Sequence, residues 1–544
     1  MNKEFTNTVN DIVDYWWKSN PVNATMDGIH DYDHEIGNMD ADSRNENLRQ
    51  YENYIDRLRT IERESELSRD ERLDLEVLKR NLSVVVQMER NYRRADRDAT
   101  VYTDMCLWSA YMLLTRDFAP LEQRMKSLAS RLEEIPRILE QGKVNLLKSD
   151  DVPAAWTRIG MEVTQSGLNF FSVLVPMYAN RIPSLTTDLQ RANDNAIRAL
   201  ESYLQFLNDK LMPRSKGEFR LGEELFDYCL RENHILPFTS EELLEFGRQA
   251  IADTEIELQK SAASIDEGKS WRELVDLFRT DVPKPSELLD QYRKEIVRAR
   301  TFVDETGLVD IPTNESLQVV ETPRFEVSRY PYAAYLMPPP FEGSSEGVFW
   351  VTPVDLDLPE EQQQQQLAGH SKSSIILKAI HEGYPGHHLQ FVHTNRLESK
   401  PRRVFATSSF TEGWALYCEE LMYEQGYYDL KTRLFMLKDQ LWRACRVVID
   451  VELHRGNMSF QDAVKTLVEK AGLEEVNAIS EIKRYTQSPT QPMSYMTGKD
   501  SVKRLRDRVK NKLGSDFELN RFHNELLSYG SIPVGLIENE MLNQ

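Results

Sequence analysis

The sequence predicts a mainly α protein, a large helical body that contains one small β-sheet, with a cleft between its N-terminal and C-terminal halves. Three observations lead to this prediction. Long stretches of the first three hundred residues repeat apolar residues at helical spacing, and the stretch from about 308 to 353 is rich in β-branched and aromatic residues. Helical spacing then returns after residue 381 and continues to the end of the chain.

The first half of the chain is predicted to be helical throughout. Five long segments place apolar residues three and four apart among charged ones, which is typical of helices with one buried face. These segments are 45–64, 70–94, 121–147, 187–211 and 240–263. A further helix is expected to begin near Pro283, and no internal repeat of fixed period is evident. We therefore assign residues 1–307 to a helical N-terminal half that covers the cleft, and residues 308–544 to a C-terminal half.

The predicted sheet lies in the C-terminal half. Residues 317–321 and 348–352 are β-branched and aromatic, as in strands, and proline-rich and glycine-rich turns separate them. The glutamine run 362–366 then reads as the polar face of the next helix.

Composition excludes several classes of partner. The chain has 67 basic and 88 acidic residues, a net charge of −21, whereas binding to nucleic acid or to an anionic membrane needs clustered Lys and Arg. There is no apolar signal region at the N-terminus and no apolar run of about 18 residues. The four cysteines are far apart and form no C-x-x-C pair, so reduced thiols are expected. The sequence thus predicts a cytoplasmic protein without nucleic-acid or membrane partners.

Residues 381–388 read His-Glu-Gly-Tyr-Pro-Gly-His-His and form the most informative segment of the chain. Imidazole is the commonest protein ligand for zinc, and a glutamate beside the first ligand is how a zinc hydrolase places its general base. The segment is close to the zinc-binding pattern H-E-x-x-H, in which two ligands four apart share one helix face. It differs from that pattern because the fourth residue after His381 is Pro385.

A helix break explains this departure. On an unbroken helix His387 would lie about 120° around the axis from His381, and His388 would lie about 10.5 Å along it. Pro385 removes a backbone donor and Gly386 accepts unusual backbone angles, so the pair predicts a bulge that brings His387 beside His381. The alternative is an ordinary Pro-Gly turn with histidines that pack or face solvent. The apolar flanks favour a buried helix, in which imidazoles without a metal or partners would be costly.

A third ligand is expected because a catalytic zinc takes three protein ligands and keeps one position open. Downstream, residues 408–420 begin like a capped helix with Glu412 in the first turn. Glu412 follows His381 by 31 residues, which leaves room for an antiparallel return, and Glu419 shares its face. The alternative is that Glu412 only complements the helix dipole.

These residues carry a family resemblance. His381-Glu382-x-x-Pro385-Gly386-His387, followed by Glu-Gly-Trp-Ala-Leu-Tyr at 412–417, resembles the large bacterial family catalogued as domain of unknown function 885. That family is regarded as gluzincin-like, meaning zinc hydrolases with two His ligands and one Glu ligand. Other segments are similar to further signatures of the family: 21–25 with 28–32, 219–222, Arg446 with Asp450, Leu453 and His454, and Pro489 with Gln491, Ser494, Tyr495 and Gly498. Pro492 and Met458 depart from those signatures.

The resemblance implies a zinc metallopeptidase with one zinc ion per chain, held by His381, His387 and Glu412. His388 is kept as a reserve ligand. In the expected mechanism zinc lowers the pKa of its bound water, Glu382 takes the proton, and hydroxide attacks the carbonyl.

The oxyanion formed by this attack needs a further donor. Tyr495 and His454 are the candidates, although Tyr495 could instead be a core aromatic and His454 a helix C-cap.

Short peptides are the expected substrates, because a deep cleft would admit them and exclude folded proteins. Residues 349–352 could form an edge strand that binds substrate backbone, or belong to a plain structural hairpin. Two alternative functions remain open. One is a zinc-dependent amidase or esterase with a non-peptide substrate, and the other is a catalytically inactive helical binding protein. The presence of Glu382 argues against the second, because a metal-binding relic has no need of the base.

Overall fold

The computed structural model describes residues 2–323, 327, 330 and 332–542. These residues are mainly helical with one three-stranded sheet, so the prediction of a mainly α fold with a small sheet is confirmed. The chain forms two compact units, one of Met1–Leu221 with Pro339–Gly343 and one of Gly222–Pro338 with Ser344–Gln544. Their division after Leu221 differs from the expected boundary at 307/308, because helices from 222–307 pack on the C-terminal helices.

The first unit is built of helices with one buried face. They are α1 Lys3–Ser19, α2 Pro21–Asp27, α3 Ala41–Glu64, α4 Arg69–Gln87, α5 Arg94–Arg97, α6 Thr100–Thr115, α7 Leu121–Lys148, α8 Ala154–Ala179 and α9 Thr186–Phe206. The four segments predicted here correspond to α3, α4, α7 and α9. The helical runs that start with α4 and α9 continue as π-helical turns, Met88–Tyr92 and Leu207–Leu211. Ser68 and Glu71 form a capping box that fixes the start of α4.

Residues 28–32, which resemble the N-terminal signature of the family, contact the stretch Pro339–Gly343. Gly28 has φ +88°, and a side chain on it would meet Glu342 at 2.7 Å. His30 lies 3.3 Å from a Glu342 oxygen and 3.0 Å from an Asp33 oxygen, and Arg116 also pairs with Glu342. These residues therefore have a packing role in the first unit.

The second unit contains the remaining helices and the strands. They are α10 Glu223–Glu232, α11 Ser240–Ile265, α12 Trp271–Phe278, α13 Leu288–Thr306, β1 Ser316–Glu321, β2 Ala333–Leu336, β3 Glu346–Val351, α14 Glu360–Ala368, α15 Lys372–Lys378, α16 His387–Asn395, α17 Lys400–Val404, α18 Ser408–Glu424, α19 Leu430–Arg455, α20 Phe460–Glu469, α21 Glu475–Gln487, α22 Ser494–Leu513, α23 Leu519–Ser528 and α24 Val534–Leu542. The predicted helix 240–263 is α11, which packs along α19. Across the described part of the chain, no helix combines the length and apolar character needed to span a membrane.

The sheet has the strand order β1-β3-β2. The two predicted strands are present as β1 and β3, but they pair in parallel, so the alternative of a plain hairpin is wrong. The expectation that 349–352 forms an edge strand is also wrong, because β3 is hydrogen-bonded on both sides, to β1 and to β2. The sequence-based prediction missed β2, a four-residue strand that lies at one edge of the sheet.

Two glycines allow α18 and α22 to cross in close contact. A side-chain carbon on Gly413 would lie 2.4 Å from the Gly498 Cα, and one on Gly498 would lie 1.8 Å from the Ser409 carbonyl oxygen. Because no residue larger than glycine fits at either place, the crossing fixes the first turns of both helices relative to each other.

Gly413→Ala tests this crossing. Overpacking against backbone atoms that cannot rotate away should lower the free energy of unfolding by about 3 kcal/mol. Gly167→Ala, within α8, is the matched control, since its nearest neighbour would be 3.6 Å from the added carbon. That variant should be neutral or stabilised by up to about 1 kcal/mol. Urea unfolding followed by circular dichroism measures both, and equal stability of the two variants would contradict the close crossing.

Candidate metal centre

The helix that carries the first motif is interrupted between its histidines. Helix α15 continues as a π-helical turn, Ala379–Gly383, and α16 begins at His387. The Gly386 amide donates to the Ile380 carbonyl at 3.0 Å, and a side chain on Gly386 would lie 2.0 Å from the His381 carbonyl oxygen. The interruption is larger than the predicted bulge, because the helix ends and restarts. Only glycine fits at this position.

This interruption brings the three expected ligands together. The His381 and His387 rings are 4.8 Å apart and nearly perpendicular. Their Nε2 atoms lie 3.7 Å and 3.4 Å from the same Glu412 oxygen. One ligand atom from each residue can be chosen so that all three lie within 4.8 Å of one another, and these residues form the one such group in the described ranges. We call His381, His387 and Glu412 the three-residue cluster.

Glu419 fixes the orientation of the first histidine. The Nδ1 atom of His381 is 2.8 Å from Glu419 Oε1 in a buried contact. An Nδ1–H that donates to this carboxylate leaves the Nε2 lone pair facing Glu412, and a metal-ligating histidine commonly has such a second partner. Glu412 and Glu419 are two helical turns apart on α18, so one helix supplies both carboxylates.

The electrostatics of the cluster favour a positive charge. Burial alone would lower the pKa of His381, but the carboxylates of Glu412 and Glu419 outweigh it and raise that pKa to about 10. Burial would raise the pKa of Glu412, but the imidazoles of His381 and His387 hold it well below its usual range. Two imidazoles and a carboxylate are also a donor set that zinc prefers. The residues present therefore fit a divalent metal.

The motif at residues 412–417 contacts the segment between the two histidines. The indole of Trp414 donates from Nε1 to the Pro385 carbonyl at 2.9 Å. The hydroxyl of Tyr428 donates to the Glu419 backbone carbonyl at 2.6 Å. Helix α18 thus contributes a candidate ligand, the partner of another ligand and a clamp on the loop between the two histidines.

Glu382 follows His381 in the π-helical turn and is half-buried. Its carboxylate has no hydrogen bond or ion pair with any residue that the structure describes. Burial and the Glu382 charge both raise the pKa of Tyr292. A carboxylate in this position can accept a hydrogen bond from a water molecule at the cluster.

Tyr495 lies in the first turn of α22, and the structure brings it near the cluster. Burial raises the pKa of its phenol, and the charge of Glu412 raises it further, which reflects their proximity. The guanidinium carbons of Arg446 and Arg443 are 4.6 Å and 5.9 Å from its ring centre. The phenol therefore stays protonated at neutral pH and can donate a hydrogen bond.

His454 lies in a different environment. It is fully buried in α19, and its Nε2 atom is 3.0 Å from the Tyr485 carbonyl oxygen, the geometry of a donated hydrogen bond. Burial lowers its pKa to about 4. Its Nε2 atom also lies 3.9 Å from Asp450 Oδ1, and His454 is not among the three residues that meet at the cluster. The structure therefore does not bring this predicted residue to the site.

The motif that contains His454 holds α21 and the start of α22. Arg446, Asp450 and His454 follow each other at intervals of four on one face of α19. Arg446 donates from Nε to the Tyr485 hydroxyl at 2.7 Å. Asp450 accepts hydrogen bonds from the backbone amides of Thr490 and Met493, at 3.2 Å and 3.1 Å. These contacts fix the loop from which Tyr495 emerges.

His388, the reserve ligand, also lies outside the cluster. Its Nε2 atom is 2.7 Å from Glu315 Oε2, and its Nδ1 atom is 3.1 Å from the Tyr335 hydroxyl. The Glu315 side chain is fully buried and accepts further hydrogen bonds from Arg300 and Tyr384. Burial would raise its pKa, but these donors lower it to about 2. Glu315 could not be predicted from the sequence, because it is a single acidic residue in no motif.

Known proteins are similar to this chain along nearly all of its length. The family described as bacterial protein of unknown function (DUF885) matches residues 21–541. A solved structure from Shewanella oneidensis is 24% identical, with 99% of each chain covered and a TM-score of 0.82. One from Colwellia psychrerythraea is 17% identical, with 99% of this chain and 98% of that chain covered and a TM-score of 0.84. Both are described as a "putative lipoprotein", and both likenesses show the fold alone. No curated protein matches.

Glu419→Ala tests the role of the carboxylate behind His381. Without its acceptor the imidazole loses its fixed tautomer and orientation, so zinc affinity should fall about 10- to 100-fold. Glu424→Ala, on the exposed end of the same helix, should bind zinc like the parent protein. Competition with a zinc chelator at neutral pH measures both, and equal affinities would remove Glu419 from the metal centre.

Proposed function

The chain belongs to the bacterial family DUF885, and we propose that it is a zinc-dependent metallohydrolase that cleaves short peptides and holds one zinc ion. The observation that carries the proposal is the three-residue cluster with its outer partner Glu419. Two imidazoles and one carboxylate leave a fourth coordination position open, as in catalytic zinc sites. When bound, a zinc ion acts as a Lewis acid and lowers the pKa of water.

Glu382 is proposed as the general base. It follows a ligand directly in the chain and is half-buried, and its carboxylate has no partner among the described residues. Such a carboxylate can take a proton from the attacking water and return it to the leaving amine.

Tyr495 is proposed as the donor to the oxyanion that forms on the substrate carbonyl. Its phenol is protonated at neutral pH and lies near Glu412, at the end of α22 that the Gly413–Gly498 crossing fixes. Such a hydroxyl can stabilise negative charge that appears only during the reaction. We do not assign this role to His454, because its Nε2 already faces the Tyr485 carbonyl.

The strand β2 supports a peptide substrate over a non-peptide amide or ester. Tyr335 of β2 stacks on His387, with ring centres 6.4 Å apart and an interplanar angle of 19°. Among the described residues β2 pairs only with β3, so its other edge offers backbone groups beside a candidate ligand. An extended peptide can add to such an edge through main-chain hydrogen bonds.

Digestion of a library of short peptides by zinc-loaded protein, read by mass spectrometry, tests the proposed function. Glu382→Gln is the diagnostic variant. It should keep its fold and one zinc per chain but lose about a thousandfold in kcat, since the amide cannot accept a proton. His381→Ala should lose zinc and activity together. Activity of the Gln variant within about tenfold of the parent would exclude Glu382 as the base. Turnover of a panel of non-peptide amides or esters, but of no peptide, would contradict the substrate class.

Tyr495→Phe tests the oxyanion donor. The ring remains, so packing and the melting temperature should change little. The kcat should fall about a hundredfold, roughly 2.7 kcal/mol, with KM nearly unchanged. Tyr203→Phe in the first unit, which removes a buried hydroxyl that donates to the Ala99 carbonyl, should leave kcat intact. Retention of the full kcat by Tyr495→Phe would exclude the phenol from the reaction.

A further inference from the structure

Within residues 442–446 of α19, three buried donors have no acceptor in the part of the chain that the structure describes. They are Trp442 Nε1, Arg443 Nε and Arg446 Nη1. Arg446 is only 4% exposed, and its guanidinium carbon lies 4.2 Å from the Trp442 ring centre and 4.6 Å from that of Tyr495. Buried donors in folded proteins are almost always paired, so unpaired ones point to a missing acceptor.

The other two guanidinium nitrogens of Arg446 are already engaged. Nε donates to the Tyr485 hydroxyl at 2.7 Å, and Nη2 donates to Glu481 Oε2 at 3.1 Å. The guanidinium is therefore held in one orientation, and Nη1 is the nitrogen that can donate to a ligand. Rigid presentation of an unpaired donor is what a binding site for a specific group requires.

The acceptor that this site lacks is an anion. Glu481 also accepts from Arg484, at 2.9 Å, so one carboxylate serves two guanidinium groups. Arg443 donates from Nη1 to the Asp439 backbone carbonyl at 3.2 Å, and an oxygen of the Asp439 carboxylate is 3.9 Å away. The protein as a whole carries a net charge of −21, so a buried excess of positive charge at this place is unusual for the chain. A carboxylate suits this place because its oxygens accept charge-assisted hydrogen bonds from guanidinium groups.

This basic site is close to the proposed reaction centre. Tyr495 lies against the Arg446 guanidinium on one side, and the charge of Glu412 acts on its phenol. Helix α22, which carries Tyr495, crosses α18 at Gly413, the residue after Glu412. A carboxylate bound at Arg446 would thus lie next to the Tyr495 ring, whose hydroxyl is the proposed oxyanion donor. A charged group of the substrate at this place would be close to the bond that is cleaved.

We propose that Arg446, with Trp442 and Arg443, binds the C-terminal carboxylate of the peptide substrate. This inference rests on the proposed function and specifies it further: the enzyme removes the last residue of a short peptide. The C–N bond of the last peptide group breaks. The hydroxyl of one water joins the carbonyl carbon, and a proton goes to the amine of the released amino acid.

Matched N-acetylated tripeptides test the inference on the zinc-loaded parent protein. One set carries a free C-terminal carboxylate, a second carries a C-terminal amide, and a third is amidated but ends in glutamate. The free acids should be cleaved with a kcat/KM at least about thirtyfold above that of the amides, with release of the last amino acid. Equal cleavage of acids and amides overturns the carboxylate site but leaves a peptidase. Cleavage of the third set as fast as the free acids overturns it in favour of an acidic side chain.

Variants locate the effect at Arg446. Arg446→Gln should lose most of the preference for free acids over amides, whereas Arg484→Gln, which also loses a contact with Glu481, should keep it. A preference that survives in a folded Arg446→Gln protein overturns the assignment. Should Arg446→Gln fail to fold, the acid-to-amide ratio of the parent still decides.

A binding measurement separates this inference from the proposed function. In zinc-loaded Glu382→Gln, calorimetry should show at least about thirtyfold tighter binding of the acetylated free acid than of its amide. If the parent hydrolyses no peptide, the proposed function is wrong, and this comparison still tests the site. Equal binding of acid and amide overturns the carboxylate site whatever the activity.

Discussion

The candidate centre depends on three places where backbone and neighbouring atoms come too close for a side chain. Gly386 lies against the His381 carbonyl, Gly413 lies against Gly498, and a side chain on Gly347 would lie 2.6 Å from His388 Nδ1. The first contact brings the two ligand histidines together, and the second fixes Glu412 relative to Tyr495. The third seats β3 against the helix that carries the histidines. At each contact the absence of a side chain lets the backbone approach neighbouring atoms closely, and this approach positions a functional group.

Hydrogen bonds between buried polar groups then orient what the glycines bring together. Glu419 holds His381, Glu315 holds His388, and Asp450 holds the loop before α22. Buried charges of this kind destabilise a fold unless they are paired. Their number around one cluster, in a unit otherwise packed with apolar residues, is understandable if the cluster has a chemical role. Arg446 is a further buried charge of this kind, and its Nη1 donor has no acceptor in the described residues.

Much of the fold and part of the site could be predicted from sequence, for local reasons. Helical periodicity located α3, α4, α7, α9 and α11, and the ligand spacing with its Pro-Gly pair located the interruption before His387. Strand order could not be predicted, because pairing of β1 with β3 depends on contacts between distant residues. Glu315 carries no local signal. His454 was misleading because its imidazole lies against the Tyr485 backbone carbonyl, a contact with no local signal in the sequence.

The presence of a metal at the three-residue cluster is the claim on which the proposed chemistry depends. A crystal of protein purified with zinc, measured on both sides of the zinc absorption edge, tests it most directly. We expect one anomalous peak per chain, about 2.0–2.2 Å from His381 Nε2, His387 Nε2 and a Glu412 oxygen. The Nδ1 atom of His381 should remain on Glu419. The absence of a peak at this position would contradict a metal at the cluster. A zinc ion bound elsewhere, with His381 and His387 in direct contact with Glu412, would contradict it as well.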